Sequence, residues 1–273
     1  MTRIHARNAL TPEGWQTDLD IEIAKDGLIS AVSPHTVPAD HTLDLVLPAP
    51  VNLHSHTFQR AMAGLTEARG PDPQDSFWTW RRLMYRFLEA LTPDQVEAIA
   101  AMAFVEMAEA GFGAVAEFHY LHHGPGGQSY DKLGELSDRI AAAAQATGLG
   151  LTHLPVFYQY GGCDQRDLEG GQKRFGNDIE HYSRLHAEAE KTIAEGPDDW
   201  RIGVAPHSLR SVDPEGLASA LQIADGSPFH LHLAEQTAEV DEVLTHHGAR
   251  PVEWLLANAE VDENWCLIHC TQM

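Results

Sequence analysis

From residue 45 onward, short apolar segments alternate with longer amphipathic ones. A first strand is expected to begin in Leu45-Val46-Leu47 and to end in His54 and His56. "GAVAEFHY", "LGLTHLPVFY", "WRIGVAPH", "SPFHLHLAEQ" and "WCLIHCTQM" read as five more strands. The segments between them have helical character. "LTPDQVEAIAAMAFVEMAEAG" offers Thr92 as N-cap, Pro93 at the first helical position, Gln95 two residues on for a capping box, and Gly111 as the stop. "LGELSDRIAAAAQATG" ends at Gly148. "NDIEHYSRLHAEAEKTIAEG", "DPEGLASALQIA", "TAEVDEVLTHHG" and "PVEWLLAN" complete the helices. Residues 1–46 have a different rhythm. "DLDIEIAKDGLISAVSP" alternates apolar and polar positions around Lys25-Asp26-Gly27, a hairpin signal. The expectation is a small β domain over 1–46 and a larger unit over 47–273.

Strands separated by helices predict a parallel sheet, since parallel neighbours need long crossovers. Either an open doubly wound sheet or a closed (β/α)8 barrel satisfies this pattern. No glycine-rich dinucleotide fingerprint follows the first strand, and there is no phosphate loop. Six strands are two fewer than a barrel needs, and the sequence stops directly after the sixth.

Composition narrows the function. The net charge is −22, from 18 basic and 40 acidic residues, which opposes a nucleic-acid partner because phosphate contacts need a basic surface. No apolar run approaches the ~20 residues of a membrane span, and the first fifteen residues lack a secretory signal. Three cysteines are too few for a disulfide scaffold. The expected setting is the reducing cytoplasm, with neither membrane nor nucleic acid as partner.

The ends of the expected strands carry the candidate chemistry, as they do in β/α barrels. The first strand ends in His54 and His56, whose side chains share one side because alternate strand residues do. The second offers Glu117, His119 and Tyr120, and the fourth His207 with Arg210 shortly after. The fifth gives His230 and His232, then Glu235, and the sixth His269. A lone His-x-His is more often structural than metal-binding, and His232 or His269 alone could be a satisfied core histidine. Their recurrence at equivalent positions changes the reading. Three imidazoles with an open position suit one catalytic divalent metal ion such as Zn2+. Glu235 could then shuttle protons beside the attacking water, although a carboxylate near a helix start is also favoured by the helix dipole.

The segments "NLHSHTFQRAMAGL", "DSFWTWRRLMYRF", "EFHYLHH", "APHSLRSV", "HLHLAEQ" and "RPVEWLL…WCLIHCTQM" resemble those of the formimidoylglutamate deiminase family of the amidohydrolase superfamily, over about Pro48 to Met273. The resemblance implies an amidohydrolase (β/α)8 barrel, six of whose eight strands this sequence holds, beside the small β domain. It implies metal ligation by His54, His56 and His232, with His230 ranked below His232, and catalytic roles for Glu235 and His269. It implies substrate contacts from Gln59, Arg81, Tyr120, His207 and Arg210, with Arg82 the competitor of Arg81. The implied reaction is metal-dependent hydrolysis of a small dicarboxylate, N-formimino-L-glutamate, to N-formyl-L-glutamate and ammonia in histidine degradation, with zinc as the metal and a homodimer as the common assembly of such barrels. A deaminase of a nucleobase or cyclic amidine, or a non-catalytic barrel remnant, are the competing readings. Two features depart from the family. Its metal-binding aspartate at the end of strand eight has no counterpart here, so a longer native chain is expected. Gln272 also stands where a histidine is expected.

Overall fold

The computed structural model describes residues 1–65 and 77–273. It divides into two units, Met1–Pro50 and Val51–Met273.

The first unit is a four-stranded sheet of β1 (Thr2–Thr11), β2 (Gly14–Ile23), β3 (Ile29–Pro34) and β4 (His41–Leu43), in the order β3-β2-β1-β4. The β2–β3 hairpin turns where the sequence predicts it, with Gly27 in the left-handed region at φ +86°, a conformation that costs glycine little. Ala6, Ala9, Leu19 and Ile21 form its core. Here one expectation is corrected. The apolar run Leu45–Leu47 does not start a strand of the larger unit. Val46 donates to Asn8 O at 2.9 Å and accepts from Leu10 N at 3.1 Å, so the run pairs beside β1. Pro48 and Pro50 then interrupt it, because neither can donate to a ladder.

The second unit opens with β5 (Val51–Ser55), followed by α1 (Phe77–Leu88), α2 (Pro93–Glu109) and β6 (Ala114–His119). Next come α3 (Glu135–Thr147), β7 (Gly150–Phe157) and α4 (Ile179–Ala194). The fourth strand is split into β8 (Arg201–Ile202) and β9 (Ala205–Pro206), before α5 (Pro214–Ala224) and β10 (Phe229–Leu233). The unit closes with α6 (Thr237–His247), α7 (Pro251–Asn258) and β11 (Trp265–His269). Where the strand splits, a Cβ at Gly203 would lie 2.4 Å from Pro228 O, so only glycine fits there.

All described strand pairs in this unit are parallel. β5, β6, β7 and β8 pair in chain order, and bridges Val204–Phe229 and Ser208–His232 carry the order on to β10 and β11. A doubly wound sheet would reverse its strand order at a switch point. Sequential order is that of a barrel.

Local chemistry sets the helices. Thr92 and Gln95 form both bonds of the capping box at the start of α2. Asp178 and Asp213 cap α4 and α5, and Gly148 at φ +73° ends α3. The tryptophan-rich segment forms α1, a helix not among those expected above although its apolar and charged residues recur with helical period. The side chain of Arg82 lies outside the described residues.

Candidate active site

The carboxyl ends of the strands converge on a cavity of about 240 Å³ in the second unit. β5 brings His54, and the backbone just past its end brings His56. β10 brings His232. One ring nitrogen from each lies within 4.8 Å of the others. Hydrogen bonds orient two of these rings. His56 Nδ1 meets Phe118 O at 2.9 Å, and His232 Nδ1 meets His207 O at 3.1 Å. A carbonyl oxygen can only accept, so Nδ1 carries the proton in both rings and each Nε2 presents a lone pair. His232 Nε2 faces His54 Nε2 at 3.2 Å, and the buried His54 Nδ1 has no partner among the described residues.

Burial pushes the His54 pKa down to about 3 and that of His56 to about 4, and holds His232 well below the usual range. All three are neutral near pH 7, the form in which imidazole binds metal. Nitrogen donors oriented by carbonyls from behind, two of them lone pair to ring nitrogen at short range, fit a divalent cation. His230 is not part of this cluster.

Beside it, His269 Nε2 lies 3.9 Å from Glu235 Oε2, and the His269 ring stacks on His232 at 5.3 Å. Ala234, His269 and Cys270 all have positive φ, at 51°, 76° and 50°. Such strain persists only where the surroundings impose it, and it clusters at functional sites. Here Cys270 N donates to Leu233 O and Gln272 N to Ala234 O, both at 2.9 Å. The buried Glu239 carboxylate accepts from Ala234 N at 3.1 Å and Glu235 N at 2.9 Å. Glu239 is a supporting residue that sequence reasoning missed.

The five residues expected to meet substrate all line the same cavity: Gln59, Arg81, Tyr120, His207 and Arg210. Gln59 Nε2 donates to Tyr120 Oη at 2.7 Å. Arg81 Nε donates to Tyr85 Oη at 2.5 Å, and the buried Arg210 Nε has no partner among the described residues. Arg60, next to Gln59, instead grips Glu106 with two bonds of 2.6 Å. Glu117 and His119 do not line the cavity. Glu117 Oε1 accepts from Thr57 N and Thr57 Oγ1 at 2.8 and 2.7 Å, bracing the turn after His56.

Sequence reasoning also missed an aromatic wall formed by Trp80, Tyr85, Tyr158 and Phe175. Tyr158 had a signal. It follows β7 directly, at the one strand end for which no polar residue is expected above. For Phe175, in a loop after a 3-10 turn, nothing in the sequence points inward.

Comparison with known proteins agrees with this geometry. Residues 45–272 match the model of the amidohydrolase family, and residues 1–41 match "Formimidoylglutamate deiminase HutF, N-terminal domain". The chain is 46% identical over 99% of its length to the formimidoylglutamate deiminase of Pseudomonas aeruginosa, covering 60% of that protein. It is 27% identical to 8-oxoguanine deaminase of the same organism, covering 46% of it. The crystal structure of an amidohydrolase from Brucella melitensis superposes on the whole chain with a TM-score of 0.94 and 48% identity, and the chain covers 61% of it. This chain therefore spans less than two thirds of these relatives. With strands in barrel order, a histidine cluster at their carboxyl ends and a family match from residue 45 to 272, the chain belongs to the amidohydrolase family.

Proposed function

We propose that the site hydrolyses N-formimino-L-glutamate to N-formyl-L-glutamate and ammonia. The observation that carries the reading is the presence of two guanidinium groups, Arg81 and Arg210, in one cavity with the three-histidine cluster and Glu235. A substrate with two carboxylates at one end and a formimino carbon at the other matches that division.

His54, His56 and His232 would hold one divalent ion, and the nitrogen donor set suits zinc. When bound, the ion supplies Lewis acidity that makes water reactive near neutral pH. Glu235 accepts a proton from the attacking water and delivers it to the imino nitrogen as the new C–O bond forms; the proton of the resulting hydroxyl then passes to that nitrogen as the C–N bond breaks, leaving the formyl C=O and ammonia. His269, whose Nε2 lies 3.9 Å from Glu235 Oε2, would hydrogen-bond the water or the reacting carbon's substituents. Arg81 and Arg210 clamp the carboxylates with planar forks, while Gln59, Tyr120 and His207 complete the wall. The identity to the Pseudomonas deiminase supports this reading.

A second reading has a specific observation behind it. The aromatic wall could stack a heterocycle, and relatives at 24–28% identity are deaminases of 5-methylthioadenosine/S-adenosylhomocysteine or 8-oxoguanine. Two of the wall's hydroxyls, however, already meet Arg81, at Tyr85 and Tyr158, so the wall and the clamp form one structure. The discriminating experiment is ammonia release from a panel of N-formimino-L-glutamate, 8-oxoguanine and 5-methylthioadenosine. Turnover of the first alone is expected. Efficient turnover of a purine with none of formiminoglutamate would replace the proposal.

A further inference from the structure

We infer that Tyr158 donates its hydroxyl proton to the substrate carboxylate held by Arg81, with Gln172 as the positioning residue behind it. This rests on the dicarboxylate reading above and extends it to two residues that no comparison assigns.

Gln172 lies on the 3-10 turn Gly170–Arg174 that follows β7 and precedes α4. Its Oε1 accepts from Glu169 N at 3.2 Å. A backbone N–H can only donate, so the amide oxygen faces Glu169 and the NH2 group faces the other way. That group meets Tyr158 Oη at 3.1 Å, and so donates to it. Arg81 Nη2 approaches the same oxygen at 3.5 Å, and a guanidinium has no acceptor. Two donors thus occupy the hydroxyl's two lone-pair positions. The phenol proton must point elsewhere. Tyr158 is 3% exposed and lines the cavity with Arg81. A carboxylate gripped by Arg81 is the acceptor that this geometry calls for. Accepting two hydrogen bonds also polarises the O–H and strengthens it as a donor.

The placement is built into the packing. Gly171 lies against the Tyr85 side chain, where a Cβ would meet its Cδ1, Cβ and Cγ at 2.9–3.0 Å. The turn carrying Gln172 and the helix carrying Arg81 are therefore in direct contact.

The test begins with steady-state kinetics on N-formimino-L-glutamate. Turnover by the metal-loaded wild type establishes the reading on which the inference rests, and its absence would remove both together. Given turnover, Tyr158→Phe should raise KM about tenfold to a hundredfold, the range for one hydrogen bond to a charged group, with kcat changed far less. Gln172→Glu keeps the shape but puts a carboxylate where the NH2 donates. The hydroxyl would then turn its proton to that new carboxylate and away from the substrate, and KM should rise similarly with the phenol ring in place. Two analogues supply the readout that a structural role would not move, each with one substrate carboxylate converted to an amide. The Tyr158→Phe penalty should persist for one analogue and shrink to about threefold or less for the other. An unchanged KM in Tyr158→Phe would overturn the inference while leaving the proposed function intact, and so would an equal penalty on the diacid and both mono-amides.

Discussion

Arg174 is fully buried and has no carboxylate partner in its described contacts. Its Nε donates to His123 O at 2.7 Å, and one Nη to Leu91 O at 3.1 Å, while the other donates to Leu88 O. It therefore ties the end of α1 and the turn after it to the loop following β6, and its own turn carries Gln172. Consider Arg174→Met, which keeps much of the volume and removes every donor. Leu88 O retains a bond from Leu91 N at 3.1 Å. His123 O and Leu91 O lose the donor that the structure gives them, at about 1–3 kcal/mol each for a buried unsatisfied group. Against this, a buried guanidinium no longer needs desolvating, and replacing buried charge by apolar atoms can be neutral or stabilising. The carbonyl dipoles already compensate the native charge, so the orphaned acceptors should dominate. The expected net loss is about 2–4 kcal/mol, read as a lower urea midpoint at unchanged m-value. A surviving folded fraction should show a raised KM, because α1 and the Gln172 turn lose their common tie. A variant as stable as wild type would mean that desolvation outweighs the bonds, and would refute this account of the loop.

Glu235→Gln should retain the metal and lose about 10²-fold or more in kcat, since the amide cannot carry the proton; near-native turnover would remove Glu235 from the mechanism. Arg81→Lys and Arg210→Lys keep charge but lose the fork, and each should raise KM about tenfold or more with a smaller effect on kcat. His153 is fully buried with neither ring nitrogen partnered among the described residues, and burial pushes its pKa down to about 3. Its folded pKa lies below the unfolded value of about 6.5, so its contribution is complete above pH 6.5 and is lost as pH falls toward 3, at about 1.4 kcal/mol per unit. His153→Leu should therefore be at least as stable as wild type at pH 7 and lose less stability between pH 6.5 and 5, checked by denaturant titration at each pH.

Much of this arrangement was legible because it is local. The capping box at Thr92 and Gln95 and the left-handed stop at Gly148 depend on a few adjacent residues, and both stand as read. Strand and helix alternation gave a parallel sheet but left barrel and doubly wound sheet open, the family resemblance implied the barrel, and polar residues at successive strand ends pointed to a shared cavity. Other features depend on tertiary context. The Leu45–Leu47 run has the same apolar pattern whether it joins β1 or the larger sheet, and only the bonds of Val46 decide. The helical period of α1 is strong in the sequence, and the expectations above passed over it. Tyr158 could be noticed as a strand-end residue, but its donor role needs Gln172 and Arg81 to arrive from distant segments. Arg174 looks like a surface residue in "GQKRFG", and nothing nearby announces that three carbonyls will surround it.

The central claim is that His54, His56 and His232, and not His230, form a divalent metal site. Elemental analysis of the purified protein and its alanine variants measures this directly. Wild type and His230→Ala should each carry about one divalent ion per chain, whereas His54→Ala, His56→Ala and His232→Ala should each lose most of it. Equal losses at positions 230 and 232, or a wild type with no bound divalent ion after reconstitution with zinc, would contradict the account.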